Sequence, residues 1–529
     1  MSKRRKTAPP PPAAAASPRP VRRRAYEGAT VSRLTADWVT SSTSADAEID
    51  GSLVRLRNRS RQLCRDNAYA RQALRAIGQN VVGQGIRLQA RVPGSGGMTD
   101  QRSSQAIEQL WRRWTRHDYC HCAGRLAFEE IARLAIQAMA ESGDVFIRLV
   151  PQVFGRSPIP LGLEILEADL VDEGKTEGPD RDGNEWRMGV RVNRWGRPIA
   201  YRFRTRHPGD LAGSVGYSFL DVPAEEVIHL AIIDRPGQTR GVPWFAAAIK
   251  RLHHLAGYEE AEVVRARASS SLMGFISSPE GELIGDDVYD ADRVTNFEPG
   301  VFKYLAPGES VNVPQLDAPD GQFEPFLRAM LRAVAASIGC SYETVSRDFS
   351  QSNYSSSRLS LLEDREHWRM LQQHLIDHLY WPVFERWMMA AIGSGALQLP
   401  GGVAMPGMYH QLVRWFPRGW GWVDPTKEVQ AYQAAVRCGF ATQAQIVAEQ
   451  GMDLEDLLQG RATEVQRAAQ LGLQFDTNPA DDREGGAPAA SPDEADEAES
   501  PDDPEDEDDD VEDQDDDVED QGDDVEDQT

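Results

Sequence analysis

"SRDFSQSNYSSSR", Ser346–Arg358, joins two helical patterns without the Gly or Pro that punctuates a short turn. It holds six serines, the arginines Arg347 and Arg358, and two rings, Phe349 and Tyr354. Upstream, Phe326, Met330, Leu331, Val334 and Ile338 keep helical spacing over 323–338. Downstream, Leu361, Trp368, Leu371, Leu375, Leu379, Val383 and Trp387 hold one face of a long helix. Ser360 with Glu363 offers a capping pair near its start. Pro382 removes a backbone donor inside the pattern, which predicts a kink near His378–Pro382. The stretch therefore reads as a long polar loop between two helices, the second of them kinked.

Further out, the patterns alternate between helix and strand. Leu53, Leu56, Leu63, Ala70 and Leu74 predict a helix over 52–80, "VVGQGIRLQARV" a turn into a strand, and 105–116 and 128–139 two more helices. "DVFIRLV" at 144–150 reads as a short buried strand. "LGLEILEADLVD" and "EEVIHLAII" each contain a strand, and "GVRVNRWGRPIAYRFR" reads as a hairpin turning at 193–196. A polar connector, "DRPGQTRGVPW" at 234–244, leads into a helix that ends near Ser271. Residues 272–320 are rich in Pro, Gly and Asp, and short helices follow "VDPTKE" as far as Leu473.

A prior of roughly 150 residues per domain gives about three domains for 529 residues. Charge is concentrated at the ends. Residues 481–529 carry 27 Asp and Glu against one Arg, a net of −26 that equals the charge of the whole chain. Residues 1–24 carry +8, which leaves −8 on the body between the ends. Both ends are expected to be disordered: the first mixes Lys3, Arg4, Arg5, Lys6, Arg22, Arg23 and Arg24 with "APPPPAAAASPRP", and the last repeats "DDVEDQ" three times. The acidic repeat reads either as a docking strip for a basic partner or as a solubility tail. The first segment lacks the apolar run of a signal peptide, so secretion is not expected. Five cysteines, an odd number widely spread, argue for reduced thiols. No run of about 18 apolar residues predicts a membrane span.

No catalytic pattern is complete in the sequence. "GQG" at 83–85 lacks the third glycine of a dinucleotide loop, and "GSGG" at 94–97 lacks the Lys–Ser/Thr of a phosphate loop. His117, Cys120, His121 and Cys122 match no zinc-finger spacing, and a structural role is preferred. His367, His374 and His378 recur on one helix face without an HExxH motif, so an interface face is preferred over a metal site. Asp286–Asp287 have no identifiable partner, and no Ser–His–Asp or Cys–His constellation emerges. No catalytic residue, metal or cofactor is expected.

Several stretches together, in this order and spacing, resemble the portal proteins of tailed bacteriophages, of the lambda type: "LRNRSRQLCRDNAYARQALRAIGQNVVGQGIRLQ", "AGRLAFEEIARLAIQAMAESGDVFIR", "HLAIIDRPGQTRGVPWFAAAI", "LRAVAASIGCSYETVSRDFSQSNYSSSR" and "VDPTKEVQAY". The resemblance implies an α+β portal fold. Its parts would be a basic arm (1–26), an α/β wing (27–240), a stem helix (241–271) and a small β-containing clip (272–320). A second stem helix (321–339), a tunnel loop (340–356), a kinked helix with its return to the wing (357–425), a helical crown (426–475) and an acidic tail (476–529) would follow. It further implies a homomeric ring, usually of twelve copies, at one capsid vertex of the virion, built in the host bacterial cytoplasm. Double-stranded DNA would pass through it without sequence specificity. The terminase large subunit, the major capsid and scaffold proteins and the head–tail connector would be partners; there would be no membrane and no catalysis. Arg347, Asp348, Phe349, Ser350, Gln351, Ser352, Asn353 and Tyr354 would face the channel. Phe349 and Tyr354 either brush DNA or pack under the loop; packing is preferred because rings cost less buried than wet. Arg347 and Arg358 would pair with Asp348 and Glu343 of a neighbouring copy. A net-negative body suits a channel that must not grip phosphates. The competing reading is a capsid-assembly scaffold of low oligomeric order that binds nucleic acid through the basic arm.

Overall fold

Three-quarters of the way along the chain, a strand returns to pair with one laid down near the start, and this closure organises the fold. In the computed structural model, β1 (Arg87–Ala90) runs antiparallel to β11 (Val413–Phe416), with Leu88 opposite Trp415. The structure describes residues 29–94, 100–210, 216, 218–270, 275–277, 310–312, 323–350, 354–399, 406–421, 425–450 and 452–473. The basic arm, the acidic tail, Asp286–Asp287 and most of 272–320 lie outside the described residues. The chain falls into two units, residues 1–454 and 455–529.

The first unit opens with helices α1 (Ala45–Asp50), α2 (Leu53–Asp66) and α3 (Ala68–Val81). The sequence predicts one helix over 52–80, but the chain breaks at Asn67, whose backbone is extended and whose side chain accepts from the amides of Tyr69 and Ala70. An Asn in a helical pattern costs little as a residue and much less as a cap, and here the cap prevails. Helices α4 (Gln101–Trp114), α5 (His117–Cys120) and α6 (Phe128–Ser142) follow β1. Strands β2 (Asp144–Val150), β3 (Gly162–Glu167) and, later, β8 (Val227–Ala231) form an antiparallel sheet in the order β3-β2-β8. The central β2 is almost wholly buried, as its continuous apolar run requires. Between β3 and β8, strands β4 (Glu185–Arg187), β5 (Val190–Val192), β6 (Pro198–Arg204) and β7 (Phe219–Pro223) make a four-stranded meander, which contains the predicted hairpin.

A 3₁₀ turn at Trp244–Ala247 leads into α7 (Ile249–Ser270). Of 272–320, only β9 (Phe275–Ser277) and β10 (Ser310–Asn312) are described, and they pair antiparallel. Then come α8 (Phe323–Ile338), α9 (Tyr342–Ser346) and α10 (Tyr354–Leu375), a π-helical turn at Ile376–Tyr380 and α11 (Trp381–Gly393). The helix does change register before Pro382: the Trp381 amide reaches back to the Ile376 carbonyl, five residues away. Proline can neither donate to the His378 carbonyl nor pack beside it, and a widened turn absorbs the mismatch. Trp368, Leu371, Leu375, Leu379, Val383 and Trp387 are all buried, as their spacing predicts, whereas Leu361 is partly exposed. Because α10 begins at Tyr354, Ser360 and Glu363 lie inside the helix and form no cap.

Rings from five elements fill the centre of this unit. Trp111 meets Trp387 at 5.1 Å and Phe128 at 5.4 Å between centroids, and Tyr380 meets both Phe128 (5.0 Å) and Trp415 (5.1 Å). These edge-on contacts tie α4, α6, the π turn, α11 and β11 into one core. Helix α12 (Tyr409–Leu412) precedes β11, and α13 (Pro425–Arg437) and α14 (Gln443–Glu449) end the unit. In the second unit the described structure is essentially helix α15 (Leu454–Leu471), which leaves Leu457, Leu458 and Leu471 exposed. No helix among the described residues is long and apolar enough to cross a membrane.

Candidate nucleic-acid interface

The loop that the sequence places at 340–356 is shorter than its composition suggests. Gly339, at φ +77°, ends α8, and Ser341 then caps α9 by accepting from the Thr344 amide. The cap is held from across the fold by Asp364 on α10. Its carboxylate accepts from the Ser341 amide (2.8 Å), the Ser341 hydroxyl (2.7 Å) and the Thr344 hydroxyl (2.7 Å). Ser341 followed by Glu343 in the first turn is an N-terminal helix signal, legible in "CSYETV" once the segment is not assumed to be loop. Helix α9 also rests on α3, where Gln72 Nε2 donates to the Thr344 carbonyl at 3.3 Å. At the far end Tyr354 is already helical, which removes it from the loop.

What remains irregular begins at Arg347, in the left-handed region at φ +59° and closing α9 with a bond to the Glu343 carbonyl. Asp348 is gripped by its neighbours. It accepts from the Ser350 hydroxyl (2.6 Å) and amide (3.0 Å) and from the Tyr342 hydroxyl (2.7 Å), with Arg328 at 3.9 Å. The Ser350 bonds, then that of Tyr342, hold its carboxyl down at about 2, so it is ionised across the physiological range. Phe349 projects from this braced turn at 58% exposure. Phe349 is thus exposed in the single chain, against the preference for a ring packed beneath the loop, while the side chain of Tyr354 lies outside the described residues. Arg358 faces Glu428 on α13 at 4.0 Å within the chain. Gln351, Ser352 and Asn353 lie outside the described residues, as do Lys3, Arg4, Arg5, Lys6, Arg22, Arg23 and Arg24.

The other polar candidates are structural. His121 Nδ1 accepts from the amides of Arg125 and Leu126, both at 3.1 Å, and burial pushes the Cys120 thiol up to about 12. His374 and His378 stack at 4.2 Å, while His367 lies beside Gly339. Among the described residues only Glu167, Asp169 and His207 converge as metal ligands might, and Asp169 is already bridged by Arg57 (3.2 Å) and Arg61 (2.5 Å).

The sequence reading missed a buried ion network beneath the connector at 234–244. Arg240, fully buried, donates through Nε (2.5 Å) and Nη2 (3.1 Å) to Asp144 at the start of β2, and through Nη1 to the Met188 carbonyl (3.0 Å). Burial alone would raise the Asp144 carboxyl; the Arg240 charge, with bonds from His229 and Arg240, holds it well below the usual range. Glu173 links Arg240 to Arg57, which lies 1% exposed on the core face of α2. Gly143 and Gly241 bring the two backbones together: a Cβ on Gly241 would stand 2.0 Å from the Gly143 carbonyl oxygen. No periodicity marks this, because its partners lie 52 to 116 residues apart.

Residues 31–372 match the family described as "Phage portal protein, lambda family". The chain is 29% identical over 469 residues to the probable portal protein of Halomonas phage phiHAP-1, covering 86% of this chain and 88% of that one. It is 23% identical to portal protein B of Escherichia phage lambda, over 82% of this chain and 88% of that one. A solved neck of a native gene transfer agent particle, described with C12 symmetry, aligns at 14% identity and a TM-score of 0.44, over 76% of this chain and 93% of that one. With the mixed helix–sheet fold in place and a family match running from before α1 into the long helix, the chain belongs to the lambda family of phage portal proteins.

Proposed function

We propose that twelve copies of this chain form a closed ring at one vertex of the capsid, through whose channel double-stranded DNA is packaged by a terminase and later ejected. The observation that carries the reading is apolar surface left open on the helices next to the loop. Val263 and Val264 on α7, Phe326 on α8 and Leu359, Leu362 and Met370 on α10 are all at least 43% exposed in the single chain. Such surface marks protein contacts, and a head-to-tail contact that closes makes a ring. In this reading 27–240 is the wing, α7 and α8 are the stem helices around a clip at 272–320, α10 to α11 is the kinked helix and 426–475 is the crown. Terminase, capsid and scaffold proteins and the head–tail connector dock on its outer surfaces, and assembly takes place in the host cytoplasm.

The tunnel loop is then 347–353. Its stem is clamped by Asp364, its turn is braced by Asp348, and Phe349 projects from that turn, where a collar of rings would meet any DNA sequence sterically. Phe349→Ala should leave thermal stability of the isolated chain unchanged, since the ring is exposed, and should reduce packaged genome length or retention. A loop-deleted variant, Ser350–Asn353 removed, that assembles, packages and retains full-length DNA normally would defeat the assignment of the loop.

A further inference from the structure

A cleft of about 830 Å³ opens where the end of α3, the turn before β1, α6 and the segment after β11 converge. Arg75, Arg87, Arg133 and Arg418 line it, and no carboxylate does among the described residues. Arg133 and Arg418 also serve the end of α3: Arg133 donates to the Gly83 carbonyl at 2.9 Å, and Arg418 to that of Gln79. That helix end contributes only about half a negative charge, so four guanidinium groups leave the cleft strongly positive. Arg75 and Arg87 are exposed and form no ion pair among the described residues. Glu129 lies behind Gly85, where it accepts from the Ile86 amide and the Tyr380 hydroxyl. The positive charge continues along one flank. Asn80 Oδ1 accepts from Arg418 (3.4 Å) and from the Trp420 indole (3.3 Å), and Arg365 and Arg369 each lie over the Trp420 ring at 5.8 Å. Burial pushes the Arg365 guanidinium below its ordinary range, and the charges of Arg369 and Arg418 add to this against that of Glu428. Its Nε is buried without a hydrogen-bond partner among the described residues.

We propose that this cleft binds a small ligand bearing a phosphate monoester or a condensed phosphate, with two or more negative charges. Density of charge is the first reason. A carboxylate brings one charge and two acceptor oxygens, whereas a monoester dianion or a pyrophosphate brings more of both and can engage several planar guanidinium forks at once. Size is the second. The volume falls within the roughly 300–1,000 Å³ of small-ligand clefts. A phosphodiester chain, with one charge per phosphate spread along a strand, suits an extended groove instead. The wall is the third: Gln79 and Gln84 add amide donors beside the arginines. The ligand bridges the end of α3 and the segment after β11, and so braces the β1–β11 closure. The assignment does not rest on the ring or its channel.

The test is calorimetric titration of pyrophosphate, at constant ionic strength, into the full chain and into a double variant, Arg75→Ala with Arg87→Ala. Both side chains are exposed, so the two proteins should share one thermal midpoint without ligand. The native chain should bind saturably, and the variant about tenfold more weakly or worse. Pyrophosphate should also raise the native midpoint, because a ligand that binds only the folded state stabilises it, and should leave that of the variant in place. No saturable binding to the native chain would overturn the proposal. Equal affinity in the two chains would overturn it as well, by moving the anion to another basic segment such as the arm at 1–24. A short DNA duplex or a glutamate-rich peptide that binds the native chain more tightly than pyrophosphate, and loses that binding in the double variant, would overturn it by giving the cleft to a nucleic-acid backbone or to carboxylates.

Discussion

Asp144 and Arg240 are each surrounded by protein, and neither is tolerable there without the other. Removing one partner of such a pair strands a buried charge, at a cost of about 3–5 kcal/mol. Asp144→Ala is therefore expected to lower the thermal midpoint steeply, while the double replacement Asp144→Leu with Arg240→Met recovers much of the loss. If the double variant is no better than the single, the geometry rather than the charge was decisive. Glu129 supplies a second test. It accepts from the Tyr380 hydroxyl (2.6 Å) and the Ile86 amide (3.2 Å), and burial raises its carboxyl from 4.5 to about 7 against those bonds. Between those values the folded chain keeps a proton that the unfolded chain has released. This contribution to stability is thus full below pH 4.5 and declines as pH rises through 7, by on the order of 3 kcal/mol. Glu129→Gln preserves both acceptor bonds, so it should match the native chain at pH 5 and exceed it in thermal midpoint at pH 8. Neither group could be found by reading: an arginine counts against a buried face in any apolar pattern, and only the folded chain shows that Arg57 and Arg240 have carboxylates waiting.

Elements were far more legible than their ends. Strand β2 and helix α8 fall where 144–150 and 323–338 predict, since a short apolar run and a sustained helical stripe each admit one reading. The two failures, the break at Asn67 and the truncated loop, have a common cause. Asn and Ser are polite in helices, decisive as caps and ordinary in loops, so a polar stretch does not announce which of these it is. The loop stem shows what such a cap contributes. Asp364→Ala would leave two hydroxyls and one amide without their acceptor, a loss of about 1–3 kcal/mol. Hydrogen exchange should then quicken across 342–348 and stay slow in α11; unchanged exchange at α9 would show that packing on α3 alone holds it.

For the whole molecule, portal proteins are structural, non-enzymatic parts of the capsid, and the catalytic silence of the sequence follows from that membership. What a single chain lacks is its neighbours. If α7 carries a subunit contact, the paired change Val263→Asp with Val264→Asp should convert a particle near twelve times 58.7 kDa into one near 58.7 kDa, with the far-ultraviolet spectrum retained. A full-size ring from that variant would move the interface elsewhere. The five stretches of sequence that carry the family likeness were readable as a set. The loop's exposed ring and the buried Arg240–Asp144 pair were not, because both depend on which residues a fold of this length brings side by side.

The pairing of β1 with β11 also sets a clock. During synthesis β1 emerges more than 320 residues before the strand that will cover it. At about 5–20 residues per second its edge stays open for roughly 15–65 seconds, long enough for other nascent chains to offer strands. The guards are visible in its composition: four residues only, with Arg87 at its first position and Arg91 just beyond its last. Nascent chains from neighbouring ribosomes would meet two like charges before they met an unpaired amide.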